Sequence, residues 1–149
     1  MEKTSHFPLF VDLTGQSCVI VGGGAVASRR AGVLARFGAK VTLIAPAWTE
    51  KTAGVRWLSR PYRPGDLEGA FLAVAATDDR NVNRAVGEEA RLRGIPVSVS
   101  DCREECTFFF PAVCEGGGVT AGIVSRGGED HRRTARAAEA VRRILEELH

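Results

Sequence analysis

Residues 18–27 constrain the fold of this chain more than any other stretch. Cys18-Val19-Ile20-Val21 is a short apolar run, and Gly22-Gly23-Gly24-Ala25-Val26-Ala27 follows it without interruption. A helical pattern then extends from Ser28 to about Phe37. A strand that meets a Gly-x-Gly-x-x-Ala turn and leaves as a helix is the opening of a dinucleotide-binding βαβ unit. Gly22 makes the tight turn, Gly24 lets backbone approach a pyrophosphate, and the small Ala27 lets helix pack close on strand. The N-terminus of that helix offers unpaired N–H groups and about half a positive charge to the phosphates.

The rest of the chain agrees with an α/β layout around a mainly parallel sheet, because strand-like and helix-like stretches alternate. Lys40–Ala45 reads as the second strand, Trp48–Ala53 as a short helix and Val55–Arg60 as an irregular third strand. Two prolines exclude a central strand from 61–66. Phe71–Ala76 is apolar throughout, as a strand buried on both faces should be. Asn81–Arg93 carries Val82, Ala85, Val86 and Ala90 at helical spacing, and Ile95–Ser100 is the next strand. The alternation then stops. Thr107–Val113 is aromatic and strand-like, Gly116-Gly117-Gly118 is a turn, Val119–Ser125 is a further strand, and a last helix runs from Glu129 to Leu148. The expected architecture is a Rossmann-type domain over 1–112 and a β-hairpin and helix over 113–149 that serves dimerisation.

Composition narrows the function classes. With 44% apolar and 26% charged residues and a net charge of +2, the 149-residue chain reads as an ordinary globular domain, with no nucleic acid as partner. No apolar run reaches the ~20 residues that span a bilayer, and Met1–His6 lacks the apolar core of a signal peptide. The expectation is a cytoplasmic protein with no membrane partner. Cys102, Cys106 and Cys114 form a C-x3-C-x7-C series that only loosely fits a thiolate metal site, with His131 as a conceivable fourth ligand. Reduced cysteines without a metal are the preferred reading, and Cys18 is a buried strand residue.

Several blocks, taken in order, resemble the siroheme-synthesis dehydrogenases, the precorrin-2 dehydrogenases that often double as sirohydrochlorin ferrochelatases. Phe7–Leu13 is similar to their short N-terminal strand, and Val21–Arg30 to their nucleotide loop and first helix with its basic pair. Gly38–Pro46 is similar to their second strand. Ala75-Ala76-Thr77-Asp78-Asp79 with Val82-Asn83 is the most distinctive block, followed by Val99-Ser100-Asp101, Phe108–Ala112 and Ser125-x-Gly127-Gly128. The chain departs from that pattern where Glu129-Asp130-His131 replaces a small residue and proline at the head of the last helix. Many members also continue past the position of His149 into a helical domain.

The resemblance implies an NAD cofactor and a tetrapyrrole substrate. Residues alone leave NAD and NADP open, since Ala45-Pro46 stands where NAD-selective domains often carry an acid. Arg29 and Arg30 either favour a 2′-phosphate or form a solvated helix face, the latter being preferred. The expected cofactor contacts are Gly22, Gly24, Ala25, Val26, backbone at Ala45 and Pro46, Thr77 through its hydroxyl, and Asp78. Asp78 serves equally as a helix cap, and Asp79 reads as the cap.

Asp101 ends a strand on the same sheet edge as the glycine loop and is the expected catalytic carboxylate, with a plain turn aspartate as its structural alternative. Ser125, Arg103, Arg126 and His131 are the expected substrate contacts, the arginines because guanidinium groups grip carboxylates in bidentate fashion. Arg136, Arg142 and Arg143 are expected in solvent. Phe108-Phe109-Phe110 cannot all bury on one side of a strand, which points to a homodimer. Two rivals remain: a sirohydrochlorin chelatase without redox chemistry, and an NAD(H)-sensing module without catalysis.

Overall fold

A computed structural model describes residues 6–149. The strands β1 (Ser17–Val21), β2 (Lys40–Ile44), β3 (Val55–Leu58), β4 (Leu72–Ala75) and β5 (Val97–Val99) form one parallel sheet in the order β3-β2-β1-β4-β5. This is the doubly wound arrangement, in which the chain reverses direction between β1 and β4 and leaves a crevice beyond their carboxyl ends. Helix α1 (Ala25–Arg36) covers β1, β2 and β3, and α2 (Arg80–Arg93) covers β4 and β5.

Burial follows the two periodicities. Helix α2 buries Asn83, Val86, Gly87 and Ala90, spaced three, four and seven residues along one face. Val86 and Ala90 meet Val19, Val21, Ala73, Ala75, Val97 and Val99 in one core cluster. Cys18 and Ile20 alternate to the other side of β1, where α1 contributes Ala27, Ala31 and Leu34. Burial pushes the Cys18 thiol up to about 11, so it stays a neutral space-filler. Glu89 ties the 62–67 turn to α2: its carboxylate accepts from Tyr62 Oη, from Gly65 N–H at 2.9 Å and from Leu67 N–H at 3.0 Å.

A second compact unit consists of the N-terminal segment up to Phe10 with Phe109–His149, and the first unit spans Val11–Phe108. This division falls four residues before the boundary placed after Ala112, and it groups residues 6–10 with the end of the chain. In the second unit β6 (Ala112–Gly116) and β7 (Val119–Ile123) pair antiparallel through a two-residue turn at Gly117-Gly118. Both turn glycines have positive φ, which matches the primed turns that suit the twist of a hairpin. Helix α3 (His131–Glu146) packs Ala138 and Leu145 on Cys114. Gly116 makes that seating possible, since a Cβ there would lie 2.9 Å from Leu145 Cβ.

Four expectations need correction. Helix α1 begins at Ala25, three residues before Ser28, because Gly24 already supplies the extended cap. Trp48–Ala53 is turn and bend: Trp48 instead buries its indole and donates from Nε1 to Ser28 Oγ at 2.6 Å. Phe7–Leu13 carries no strand, and 107–111 carry none either, the strand beginning only at Ala112. Thr107 and Phe108 N–H both reach only Val97 C=O, which ends the pairing before a ladder forms. The three phenylalanines are therefore half-buried in irregular backbone, with Phe109 stacked on His6 at 3.8 Å between ring centres. No described helix is long and apolar enough to cross a membrane.

Candidate functional site

The carboxyl ends of β1, β2 and β4 are laced together by backbone. Gly22 N–H donates to Ile44 C=O at 3.0 Å, and Ala76 N–H donates to Val21 C=O at 2.8 Å. Gly22 sits at φ +136°, and a Cβ there would come within 2.2 Å of Ala76 O. At Gly23 a Cβ would lie 2.0 Å from Ala47 O. These two glycines thus permit the loop to wedge between the turns that follow β2 and β4. Gly24 is different: a Cβ there would meet nothing within 4 Å. It caps α1 with no side-chain hydrogen bond, and no acidic residue lies in the first turn. The positive end of α1 therefore opens at Gly24, Ala25 and Val26, all exposed, and this cradle fits a pyrophosphate.

Beyond β2, Ala45 is buried and Pro46 exposed. Their carbonyls each already accept one bond, Ala45 O from Trp57 Nε1 at 2.9 Å and Pro46 O from Ser59 Oγ at 3.3 Å. Thr77 is tied inward. Its N–H donates to Asn83 Oδ1 at 3.1 Å, its hydroxyl to the same oxygen at 2.7 Å, and its C=O accepts from Asn83 Nδ2 at 3.0 Å. Asp79 caps α2, accepting from Asn81 N–H at 2.9 Å, while Asp78 is exposed. Arg29 is exposed, but Arg30, expected with it on a solvated face, is half-buried and points Nη1 at Ser98 Oγ on β5, 3.5 Å away. Its position on α1 turns it toward the sheet, and burial lowers its guanidinium from the ordinary range.

Asp101 follows β5 on the same edge of the sheet, exposed and in a turn. Its Oδ1 accepts from Arg80 Nη1 at 2.7 Å, and Arg80 Nη2 pairs with Glu105. The segment after Asp101 returns to β5: Val97 N–H donates to Thr107 Oγ1 at 2.8 Å, and Val99 N–H meets Cys106 Sγ at 3.1 Å. Burial raises the Cys106 thiol. Arg103 lies in a 3₁₀ turn, Arg103–Glu105, with Nε 3.1 Å from Glu104 Oε1. Among the described residues no group of three or more His, Cys, Asp or Glu is gathered for a metal, and all four cysteines are unpaired.

The other expected contacts belong to the second unit. Ser125 Oγ accepts from Asp130 N–H at 3.0 Å, and Asp130 in turn caps α3 through Arg133 N–H at 2.9 Å. Arg126 and His131 are exposed, as are Arg136, Arg142 and Arg143. Arg80, Asn83 and Glu105 were given no role from sequence. Asn83 was visible as part of the Thr77–Asn83 block, whereas nothing local marked Arg80 or Glu105, whose partners lie 21 and 25 residues away.

Residues 9–112 match a family described as "Putative NAD(P)-binding". The chain is 41% identical over 145 residues to a "Probable multifunctional siroheme biosynthesis protein HemA" of Ruminiclostridium josui, covering 93% of this chain and 28% of that protein. It is 40% identical over 126 residues to a siroheme synthase of Methylobacillus flagellatus, covering 80% of this chain and 27% of the relative. It thus spans a little over a quarter of these curated relatives. Among solved structures, one described as "SirC, precorrin-2 dehydrogenase" superposes with a TM-score of 0.75 at 26% identity, covering 95% of this chain and 72% of that one.

Proposed function

As the chain belongs to this NAD(P)-binding family, we propose that it is an NAD-dependent dehydrogenase that converts precorrin-2 to sirohydrochlorin in siroheme biosynthesis. The observation that carries the reading is the union, on one edge of one sheet, of an open glycine cradle and an exposed carboxylate. Gly24, Ala25 and Val26 offer backbone N–H groups for the pyrophosphate, and the Ala45-Pro46 turn borders the same crevice. NAD⁺, when bound, supplies the hydride acceptor. The macrocycle loses a hydride and a proton, and Asp101 is the group we assign to take the proton at its carboxylate. Such acid/base assistance is typically worth roughly 10²–10⁴-fold.

Arg103, Ser125, Arg126 and His131 are proposed to hold the carboxylate arms of the substrate. Iron insertion, where a base must also take ring protons, is compatible with Asp101 but has no dedicated ligand cluster among the described residues. We further propose a homodimer built through 113–149, supported by Val119, Ile144 and Leu148, which stand 43%, 60% and 45% exposed. A cytoplasmic location agrees with four unpaired cysteines.

The deciding experiment is an anaerobic assay of precorrin-2 with NAD⁺, following NADH and sirohydrochlorin together, beside Asp101→Ala. Equal formation of both products, lost in the variant, supports the dehydrogenase. Binding of NAD⁺ without turnover would favour a sensing module instead.

A further inference from the structure

Asp101 stands on an exposed turn, where a lone carboxylate would sample several rotamers. It does not stand alone. Arg80 reaches it from the first residue of α2, and the start of that helix is itself fixed by the Asp79 cap. The same guanidinium pairs with Glu105 through its other terminal nitrogen. Glu105 packs over Gly87, where a Cβ on the helix would lie 3.7 Å from its Oε1. The segment carrying both acids is closed on β5 by Thr107 and Cys106, and on α2 by Arg91, whose Nη2 donates to Glu104 C=O at 2.8 Å. Two rigid elements thus meet at one guanidinium.

We propose that Arg80 is the positioning residue for Asp101 and that Glu105 anchors Arg80, so that Arg80 occupies Oδ1 and leaves Oδ2 as the oxygen that takes the substrate proton. The inference rests on the assignment of Asp101 above. Oδ1 is the atom that Arg80 Nη1 meets at 2.7 Å, and among the described residues Oδ2 accepts no hydrogen bond. Among the described residues the buried Arg80 Nε has no partner, so none of them draws the guanidinium away through that nitrogen. The contact with Asp101 itself contributes little to stability. The Arg80–Asp101 pair is over one-third exposed on both sides, and exposed pairs add little. A neutral side chain at 80 would let the carboxylate turn, and misplacing a reacting group by about 1 Å costs on the order of 100-fold.

The test is a double-mutant cycle in the full chain: Arg80→Gln, Asp101→Asn and both together, with Arg80→Lys and Glu105→Gln alongside. The readouts are kcat and KM for precorrin-2, the NAD⁺ dissociation constant from tryptophan fluorescence, and Tm. Arg80→Gln is expected to lower kcat roughly 10- to 100-fold. NAD⁺ affinity and Tm should stay near wild type, and nothing further should be lost in the Asp101→Asn background. Arg80→Lys, which retains one charged donor, should recover part of the loss, and Glu105→Gln should give a smaller loss of the same kind. An equal loss from Arg80→Gln in both backgrounds, or unchanged kcat, overturns the positioning role while leaving Asp101 as the base. Full activity in Asp101→Asn, or no turnover by the wild type, overturns the assignment of Asp101 and the inference with it. Should Arg80→Gln fail to fold, Arg80→Lys and Glu105→Gln carry the comparison, and wild-type kcat in both overturns the proposal.

Discussion

The carboxamide of Asn83 grips Thr77 at both ends: Oδ1 accepts from the Thr77 N–H and hydroxyl, and Nδ2 donates to the Thr77 carbonyl at 3.0 Å. Asn83 is fully buried, so water cannot replace these bonds. Replacing it by Leu leaves backbone groups of the β4–α2 turn unsatisfied. Urea denaturation of Asn83→Leu should show a loss of about 2–4 kcal/mol. A loss under about 0.5 kcal/mol would mean that the turn holds itself.

The three consecutive glycines should separate by function. Gly22→Ala places a Cβ 2.2 Å from Ala76 O, and Gly23→Ala places one 2.0 Å from Ala47 O, so both variants should fold poorly. Gly24→Val meets open space and should keep a Tm within a few degrees of wild type. Its NAD⁺ affinity should nevertheless fall at least about tenfold, because the side chain fills the phosphate cradle. Calorimetry with NAD⁺ on the three variants checks this, and wild-type affinity in Gly24→Val would refute the cradle.

Acid should unfold the first unit through Asp66 and Glu89. Arg60 holds the Asp66 carboxyl below its ordinary range, helped by Arg63 N–H against the opposing effect of burial. Burial pulls Glu89 upward, but bonds from Tyr62, Gly65, Leu67 and Arg93 outweigh it and leave that carboxyl low as well. Groups depressed in the folded state stabilise it above their unfolded values, near 4, and that stability drains away as the pH falls through the folded values. Glu89→Gln should therefore lose about 1–3 kcal/mol at pH 7. Its deficit should shrink toward pH 3 in parallel urea titrations. A deficit independent of pH would locate the effect in shape and not in charge.

The dimer can be tested through the exposed apolar residues of 113–149. Sedimentation equilibrium should give twice the 16.0 kDa chain mass for the wild type and a single chain mass for the pair Val119→Glu, Ile144→Glu. A monomeric wild type would sink the homodimer.

What the sequence made legible was local. Gly22 and Ala27 announce a strand–turn–helix joint, and the structure agrees: Gly22 has positive φ at the turn and Ala27 is buried at the start of the helix. The strands β1 to β5 were legible along the chain as apolar runs, with helical periods between β1 and β2 and between β4 and β5. Thr107–Val113 misled over most of its length because aromatic residues favour strands, whereas Thr107 and Phe108 meet β5 at Val97 and the strand begins only at Ala112. Trp48 misled in the other direction, since its partner Ser28 lies 20 residues back on α1. Arg80 was invisible for the same reason: an arginine after a cap looks like any solvated residue until the fold brings Asp101 and Glu105 to it.

The unequal surroundings of Gly22, Gly23 and Gly24 bear on how such a domain ages. The first two are demanded by the chain's own backbone, and the third by nothing that the fold places near it. A descendant that abandoned its redox partner after gene duplication would be free to drift at position 24 while still bound to keep 22 and 23. A surviving Gly-Gly followed by a bulky residue would then be the fossil of a lost nucleotide site in an otherwise intact fold.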